Sequence, residues 1–272
     1  MSDDVFIKSQ VTPPPFYRAA VDIIIPFHNE HNLVGELISS ILRTVRTNRY
    51  QLTLVDDFSE SDQFIHEIEA WNKKASEKEA IRAKMPEIVC IRHDKHKGFG
   101  AAVNTGLRNT KQSWVVVLQS DVLAEANTWL SSLGECMQRL KSQGVKMICP
   151  KTNNPVVNDP VFVGSRGDHT EDVVLKEGFI PMYGFLCHRE LFKRIGLLRE
   201  YPYAGGEAEE FAARMRANGF QQAVCGSSWL HHEGSATLKN YAANKKVQEI
   251  LRKAREQAEA DIKSWGKYPP NS

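Results

Sequence analysis

Over the first 150 residues, apolar runs alternate with amphipathic stretches. Val21–Ile25 is a largely apolar, β-branched run that predicts a buried strand, and Glu30 to Arg46 repeats apolar positions at helical spacing. Gln51–Val55 predicts a second strand. A charged helical stretch follows to about Lys84, with Pro86 as its stop. Glu87–Ile91 predicts a third strand, Phe99–Asn109 a helix, Trp114–Leu118 a fourth strand, Glu125–Ser142 a helix and Val145–Cys149 a fifth strand. Strand–helix alternation of this kind predicts a parallel sheet covered by helices on both faces.

The pattern breaks after residue 151. Asn, Pro, Gly and Asp cluster through 152–172 and predict a long loop of the kind that often closes over a site. A strand-like run at Phe179–Cys187 and short helices at 189–195 and 206–217 follow. Lys239–Lys267 predicts a terminal helix. Its residues Val247, Ile250, Leu251, Ala254, Ala258, Ile262 and Trp265 form one stripe. That helix is rich in Lys and Arg. It is read as packed on the domain with a solvated basic face; a homodimer contact, an anionic membrane surface and a nucleic-acid acceptor are the alternatives.

Totals change this picture little. The 272 residues, 42% hydrophobic and 25% charged, suit a globular protein with one large domain and an appendage. A net charge of +2 does not by itself point to nucleic acid. No apolar run approaches the roughly 18 residues that span a bilayer. The polar start MSDDVFIKSQ does not read as a secretory signal. Cys90, Cys136, Cys149, Cys187 and Cys225 are scattered without a C-x-x-C pair, and are read as reduced core thiols of a cytoplasmic protein. Residues 1–20, with Pro13-Pro14-Pro15, read as a flexible leader.

Six short stretches carry candidate chemistry. IIIPFHNE (23–30) ends a strand at Pro26 and opens a helix near Asn29 and Glu30, which cap chemistry alone explains. LVDDFSESD (54–62) ends a strand on Asp56 and Asp57. Two carboxylates at a strand's carboxyl end suit a base or ribose ligand. HKGFGAAVNTG (96–106) places Lys97 and Gly98 before a helix that includes Asn104, at an end that favours anions. VVVLQSDV (115–122) runs from a strand into Gln119, Ser120 and Asp121, a natural metal or phosphate position. YAGGEAEEF (203–211) opens a helix with Glu207, Glu209 and Glu210, as the helix dipole favours. WLHHEGSAT (229–237) carries His231 and His232, either of which could complete a metal site seeded by Asp121.

In this order the six stretches resemble the family 2 glycosyltransferases, inverting enzymes of the GT-A fold, over about residues 20–237. VDDFSESD is similar to the family's "VDDgStD", KGFGAAVNTG to its glycine–asparagine element, QSDV to its D-x-D, GGEAEEF to its "G-G-E-D" and HHEGSAT to its late "H-x-G-S". The resemblance implies a Rossmann-like, mostly parallel α/β sheet flanked by helices. It implies a GT-A domain over 21–237, with a nucleotide-sugar half at 21–122 and an acceptor half at 123–237, before a helical extension at 238–272. The donor would be a nucleotide-diphosphate sugar held by Pro26, Asn29, Glu30, Asp56, Asp57, Lys97, Gly98, Asn104, Gln119, Ser120 and Asp121. Mn2+ or Mg2+ would sit on Asp121 with His232 or His231. Glu207, or failing it Glu210, would be the base. The acceptor is left open among a saccharide, a lipid-linked glycan, a protein and a modified nucleic-acid base, and the location is expected to be cytoplasmic or peripheral at a membrane.

Two departures stand out. Gln119 occupies a position where the family often has Asp or Asn, and Ala208 occupies the place of the usual aspartate of "G-G-E-D". Ala208 keeps open a relative that binds the sugar nucleotide without turnover. A sugar-phosphate nucleotidyltransferase would need a glycine-rich loop with Arg after the first strand, and PFHNE is not one.

Overall fold

The computed structural model describes residues 16, 19–46, 49–77, 86, 88–155, 159–203, 205–234 and 244–265. Most of the predicted leader, the helical stretch beyond 77 and the ends of the predicted terminal helix lie outside them. Within the leader, Phe16 is buried and meets Trp114 edge-on, with ring centroids 5.2 Å apart.

Strands β1 (Ala20–Phe27), β2 (Arg49–Asp56), β3 (Ile88–Arg92) and β4 (Trp114–Leu118) pair in parallel in the order β3-β2-β1-β4. This is the predicted doubly covered half. Alternation within the strands feeds two cores. Ile23, Ile25, Val116 and Leu118 face α1 (His31–Thr44), α2 (Gln63–Ser76) and α4 (Trp129–Arg139). Ile24, Val115 and Val117 face α3 (Phe99–Arg108), α5 (Glu190–Ile195) and α6 (Glu207–Ala217).

The second half departs from a purely parallel sheet. After the short β5 (Val122–Leu123) come β6 (Val145–Thr152), β7 (Val173–Leu175), β8 (Gly184–His188) and β9 (Gln221–His232). β8 lies antiparallel between β4 and β6, β9 runs parallel to β6, and β7 and β5 pair antiparallel with β9. The strand-like run at 179–187 therefore forms a strand only from Gly184. The long loop contains a 3-10 turn at Pro160–Phe162 and ends in β7. Because β8 is reversed, its first residue, not its last, meets the end of β4: Leu118 pairs with Gly184. The strand order β3-β2-β1-β4 reverses between β1 and β4, so Asp121, just beyond β4, stands at the kind of switch point where open α/β sheets place ligands.

The terminal helix α7 (Lys245–Trp265) packs on α6 through Val247, Leu251, Ala254 and Ala258. A Cβ on Gly205 would lie 2.5 Å from Ala254 Cβ, and one on Gly206 2.6 Å from Ala258 Cβ, so small residues on both sides set this approach. No described helix is long and apolar enough to cross a membrane.

Candidate active site

The ends of β1 and β2 form one braced rim. Asn29 has φ 68° and Phe58 has φ 65°, both left-handed. Asn29 N–H donates to Ser59 Oγ at 2.8 Å, and Asn29 Oδ1 accepts from Glu60 N–H at 2.8 Å. Asp56, fully buried, accepts from Ser59 N–H at 2.8 Å and pairs with the Arg92 guanidinium from the end of β3. That guanidinium also lies 5.7 Å from the centroid of the Phe58 ring, which is 46% exposed. Asp57 accepts from Lys97 N–H at 2.8 Å, Gly98 N–H at 2.7 Å and the His93 ring at 2.7 Å. Its carboxylate therefore organises the turn before α3. His96 sits 3.6 Å from Asp57 and packs between His28 and Tyr203; burial lowers its pKa more than Asp57 raises it.

The ends of β4 and β9 meet next. β5 pairs Val122 with His232, and Glu233 N–H donates to Asp121 carbonyl. His232 is buried and stacks on Tyr183, with ring centroids 5.5 Å apart. His232 Nδ1 donates to the Asn154 carbonyl, which leaves Nε2 as the ring's lone-pair nitrogen. Among the described residues Nε2 has no hydrogen-bond partner, and it lies 3.3 Å from Asp121 Oδ1. Two acceptor atoms facing each other at that distance fit a cation. Ligands about 2.1 Å from one ion and at right angles lie about 3 Å apart. Adjacent residues of a strand point to opposite faces. His231 accordingly turns away, 3.0 Å from Glu233, and is not brought to Asp121.

The acidic start of α6 contains two buried carboxylates with different surroundings. Glu207 is buried, and its carboxylate accepts from Gly205 N–H at 2.7 Å. Burial pushes its pKa up to about 7. Glu210 is buried in a two-point ion pair with Arg214, at 3.0 and 2.7 Å, and accepts from Trp265 Nε1–H of α7 at 2.8 Å. Arg214 in turn donates to the carbonyls of Ile195 and Leu197. Glu210 is therefore tied into the junction of α5, α6 and α7. Glu210→Gln is expected to leave a buried guanidinium without its counter-charge and to cost about 3 kcal/mol. Urea unfolding measures this, and an unchanged midpoint would contradict it.

Other expected site residues have structural duties. Asn104 is buried, and its amide exchanges hydrogen bonds with Leu198 backbone and Glu200. Lys97 Nζ pairs with Asp94 at 2.8 Å. Gly98 has φ 98°, and a Cβ there would lie 2.6 Å from Tyr201 carbonyl oxygen, so the 201–203 segment lies across the start of α3. Pro26 is buried at the end of β1, opposite Val55, and Glu30 stands at the start of α1. Gln119 N–H donates to Tyr183 carbonyl, and Ser120 is buried beside it. Sequence reasoning missed Arg92, His93, His96, Phe58 and Trp265. Their only signal is that Arg92 and His93 end a strand neighbouring the two aspartates. A groove of about 960 Å3 lined by His31, Arg43, Phe64 and Leu123 runs along α1 and α2, beside this chemistry rather than over it.

Several solved structures share this fold. A crystal structure of GalNAc-T7 with UDP, GalNAc and Mn2+ aligns with TM-score 0.59 at 16% identity, over 85% of this chain and 48% of that one. The mannosyltransferase PcManGT from Pyrobaculum calidifontis, in complex with GDP-Man and Mn2+, aligns with TM-score 0.58 at 18% identity, over 94% and 76%. S. aureus TarS 1–349 aligns with TM-score 0.54 at 14% identity, over 89% and 69%. This chain thus spans about half the length of the first of these. At these identities the likeness establishes the GT-A fold. A search of curated proteins finds no match. The sequence profile described as "Glycosyl transferase family 2" matches residues 22–196, well over half of the sequence, and the chain belongs to that family.

Proposed function

We propose that the protein transfers a sugar from a nucleotide-diphosphate sugar to an acceptor hydroxyl with inversion at the anomeric carbon, aided by Mn2+ or Mg2+. The observation that carries this reading is the facing pair Asp121 Oδ1 and His232 Nε2 at the sheet's switch point. Carboxylate and neutral imidazole suit Mn2+ well, and Mg2+ if phosphate oxygens and water complete its shell. When bound there, the cation would offset charge building on the departing diphosphate.

The remaining roles belong to this chain's own side chains. Asp56 with Arg92 offers acceptor and donor groups to a base edge, and Phe58 offers an exposed face for stacking. Gln119 can hydrogen-bond ribose or phosphate as a neutral group. Glu207 would take the acceptor proton, its raised pKa suiting a base that works near neutral pH. Glu210 would hold α6 and α7 together. GT-A relatives with UDP and GDP-Man support this reading of the donor class.

The test is direct. Purified protein with Mn2+ should release UDP, GDP or TDP from one of the corresponding sugar nucleotides, slowly without acceptor and faster with it. Ala208, which packs against the second core, favours a binding-only relative. Tight donor binding with no release under any condition would establish that alternative instead.

Phe58 supplies a further expectation. A non-glycine residue at φ 65° carries about 1–2 kcal/mol of backbone cost. Stacking of a base on an aromatic ring is worth roughly 1–3 kcal/mol. Phe58→Gly should therefore weaken donor binding about tenfold or more without lowering stability. Calorimetry and thermal unfolding on the same sample check both halves, and equal donor affinity would remove Phe58 from the site.

A further inference from the structure

The five cysteines look unconnected along the chain, yet the fold gathers two of them with a carboxylate. Cys136 comes from α4, Cys225 from β9 and Asp172 from the segment entering β7. One ligand atom from each lies within 4.8 Å of the others, and both cysteines are fully buried. Cys225 Sγ is also 3.5 Å from Ser132 carbonyl oxygen and 3.6 Å from Ser227 Oγ.

Asp172 is aimed there by a built cradle. Its Oδ1 accepts from Gly226 N–H at 3.0 Å, and its Oδ2 accepts from Arg139 at 2.7 and 3.1 Å. Thr170 N–H donates to Gly226 carbonyl at 3.1 Å. A Cβ on Gly226 would lie 2.1 Å from Thr170 carbonyl oxygen, so only glycine lets the 170–172 segment reach the thiols. Three chain segments thus converge with two soft ligands and one carboxylate already oriented by a guanidinium.

We propose that Cys136, Asp172 and Cys225 form a binding site for a thiophilic divalent cation of the zinc class, separate from the Asp121–His232 pair. Two thiolates select such an ion over Mg2+ and Mn2+. With both thiols ionised, the carboxylate, the Arg139 guanidinium and one divalent ion bring the local charge to zero. The hydrogen bonds of Arg139 and Gly226 to Asp172 are the outer contacts that orient a ligating carboxylate. Ser227 Oγ or water can complete four ligands. The bound ion would pin α4 and the 170–172 segment to β9. This site does not depend on the proposed transfer reaction.

The experiment uses the full chain freed of metal by chelation and titrated with Co2+ as the probe. One equivalent should bind with a near-ultraviolet thiolate-to-cobalt band, which a carboxylate–imidazole site cannot give. Cys136→Ser and Cys225→Ser should lose the band, and Arg139→Gln should weaken binding about 10–100-fold. Zn2+ should raise the melting temperature of the unaltered protein far more than Mn2+ does. Where a cysteine variant fails to fold, the rate of residue-level alkylation of the unaltered protein decides: Zn2+ should slow Cys136 and Cys225 relative to the metal-free protein and leave the rate at Cys90 unchanged. A cobalt spectrum without the thiolate band, a band that survives Cys225→Ser, or a pair recovered as an internal disulfide with no zinc uptake would overturn the proposal.

Discussion

Asp121→Ala is expected to abolish donor binding that depends on Mn2+ and to lower transfer by about 10^3-fold or more, because a metal on a leaving diphosphate is worth several kcal/mol. The carboxylate is buried just beyond the end of β4 and faces His232. The contact that joins it to β9 is made by its backbone carbonyl to Glu233 N–H, which alanine retains. The variant should therefore fold, and its melting temperature without donor should stay close to that of the parent. Isothermal titration with the active sugar nucleotide, with and without Mn2+, makes the measurement. Donor affinity that is unchanged in Mn2+ would sink the assignment. His232→Ala should weaken the same metal-dependent step, whereas His231→Ala, on the other face of β9, should leave it intact.

Glu207→Gln should leave donor affinity unchanged and lower kcat by about 10^2–10^4-fold, the usual contribution of a positioned base. The pH dependence tests the same group. Burial raises its pKa from 4.5 to about 7, so the fraction able to accept a proton falls below pH 7. The rate should drop about tenfold per pH unit on that limb, and the glutamine variant should lose the limb along with the rate. Stability moves in the opposite sense. Between pH 4.5 and 7 the folded state holds this proton more tightly than the unfolded chain does, so folding weakens as pH rises. The expected loss is roughly 3 kcal/mol at most, at about 1.4 kcal/mol per pH unit. Glu207→Gln should flatten this slope and be the more stable protein above pH 7. A variant with full kcat would shift the base to another group; one with an unchanged stability slope would show that Glu207 is not buried as a carboxyl.

Much of the first half was legible because each strand there is a short apolar run bounded by polar turns. β1 to β4 and the helices His31–Thr44 and Phe99–Arg108 fall within a few residues of their predicted places. Asp56, Asp57 and Asp121 stand at strand ends as expected, but their partners do not follow from spacing. Arg92 and His93 reach the aspartates because β3 lies beside β2, which only pairing reveals. β9 escaped notice because QQAVCGSSWLHH mixes apolar and polar residues, and its pairing with β6 shifts register between Pro150 and Lys151. The Glu210–Arg214 pair follows from helical spacing, whereas Trp265 arrives from a helix far along the chain. The apolar stripe of α7 packs within the chain as its spacing predicts, while the small-residue seam of Gly205 and Gly206 against Ala254 and Ala258 that sets the approach does not follow from spacing.

The reversed strand β8 also divides early assembly from late assembly. β1 to β3 pair across roughly 30–35 residues each, and once formed they shorten the roughly 90-residue connection that brings β4 beside β1. Joining Trp114 to His188 closes a loop of roughly 70 residues, and joining Val122 to His232 closes one of roughly 110. Loop-closure entropy opposes such long connections until neighbouring contacts have shortened them. Asp121 thus stands at the edge of the half that can form first, while His232 is delivered by the strand that must wait for β8 and β6. Their meeting marks a completed sheet, so a nascent chain cannot assemble this pair before most of the domain has been made.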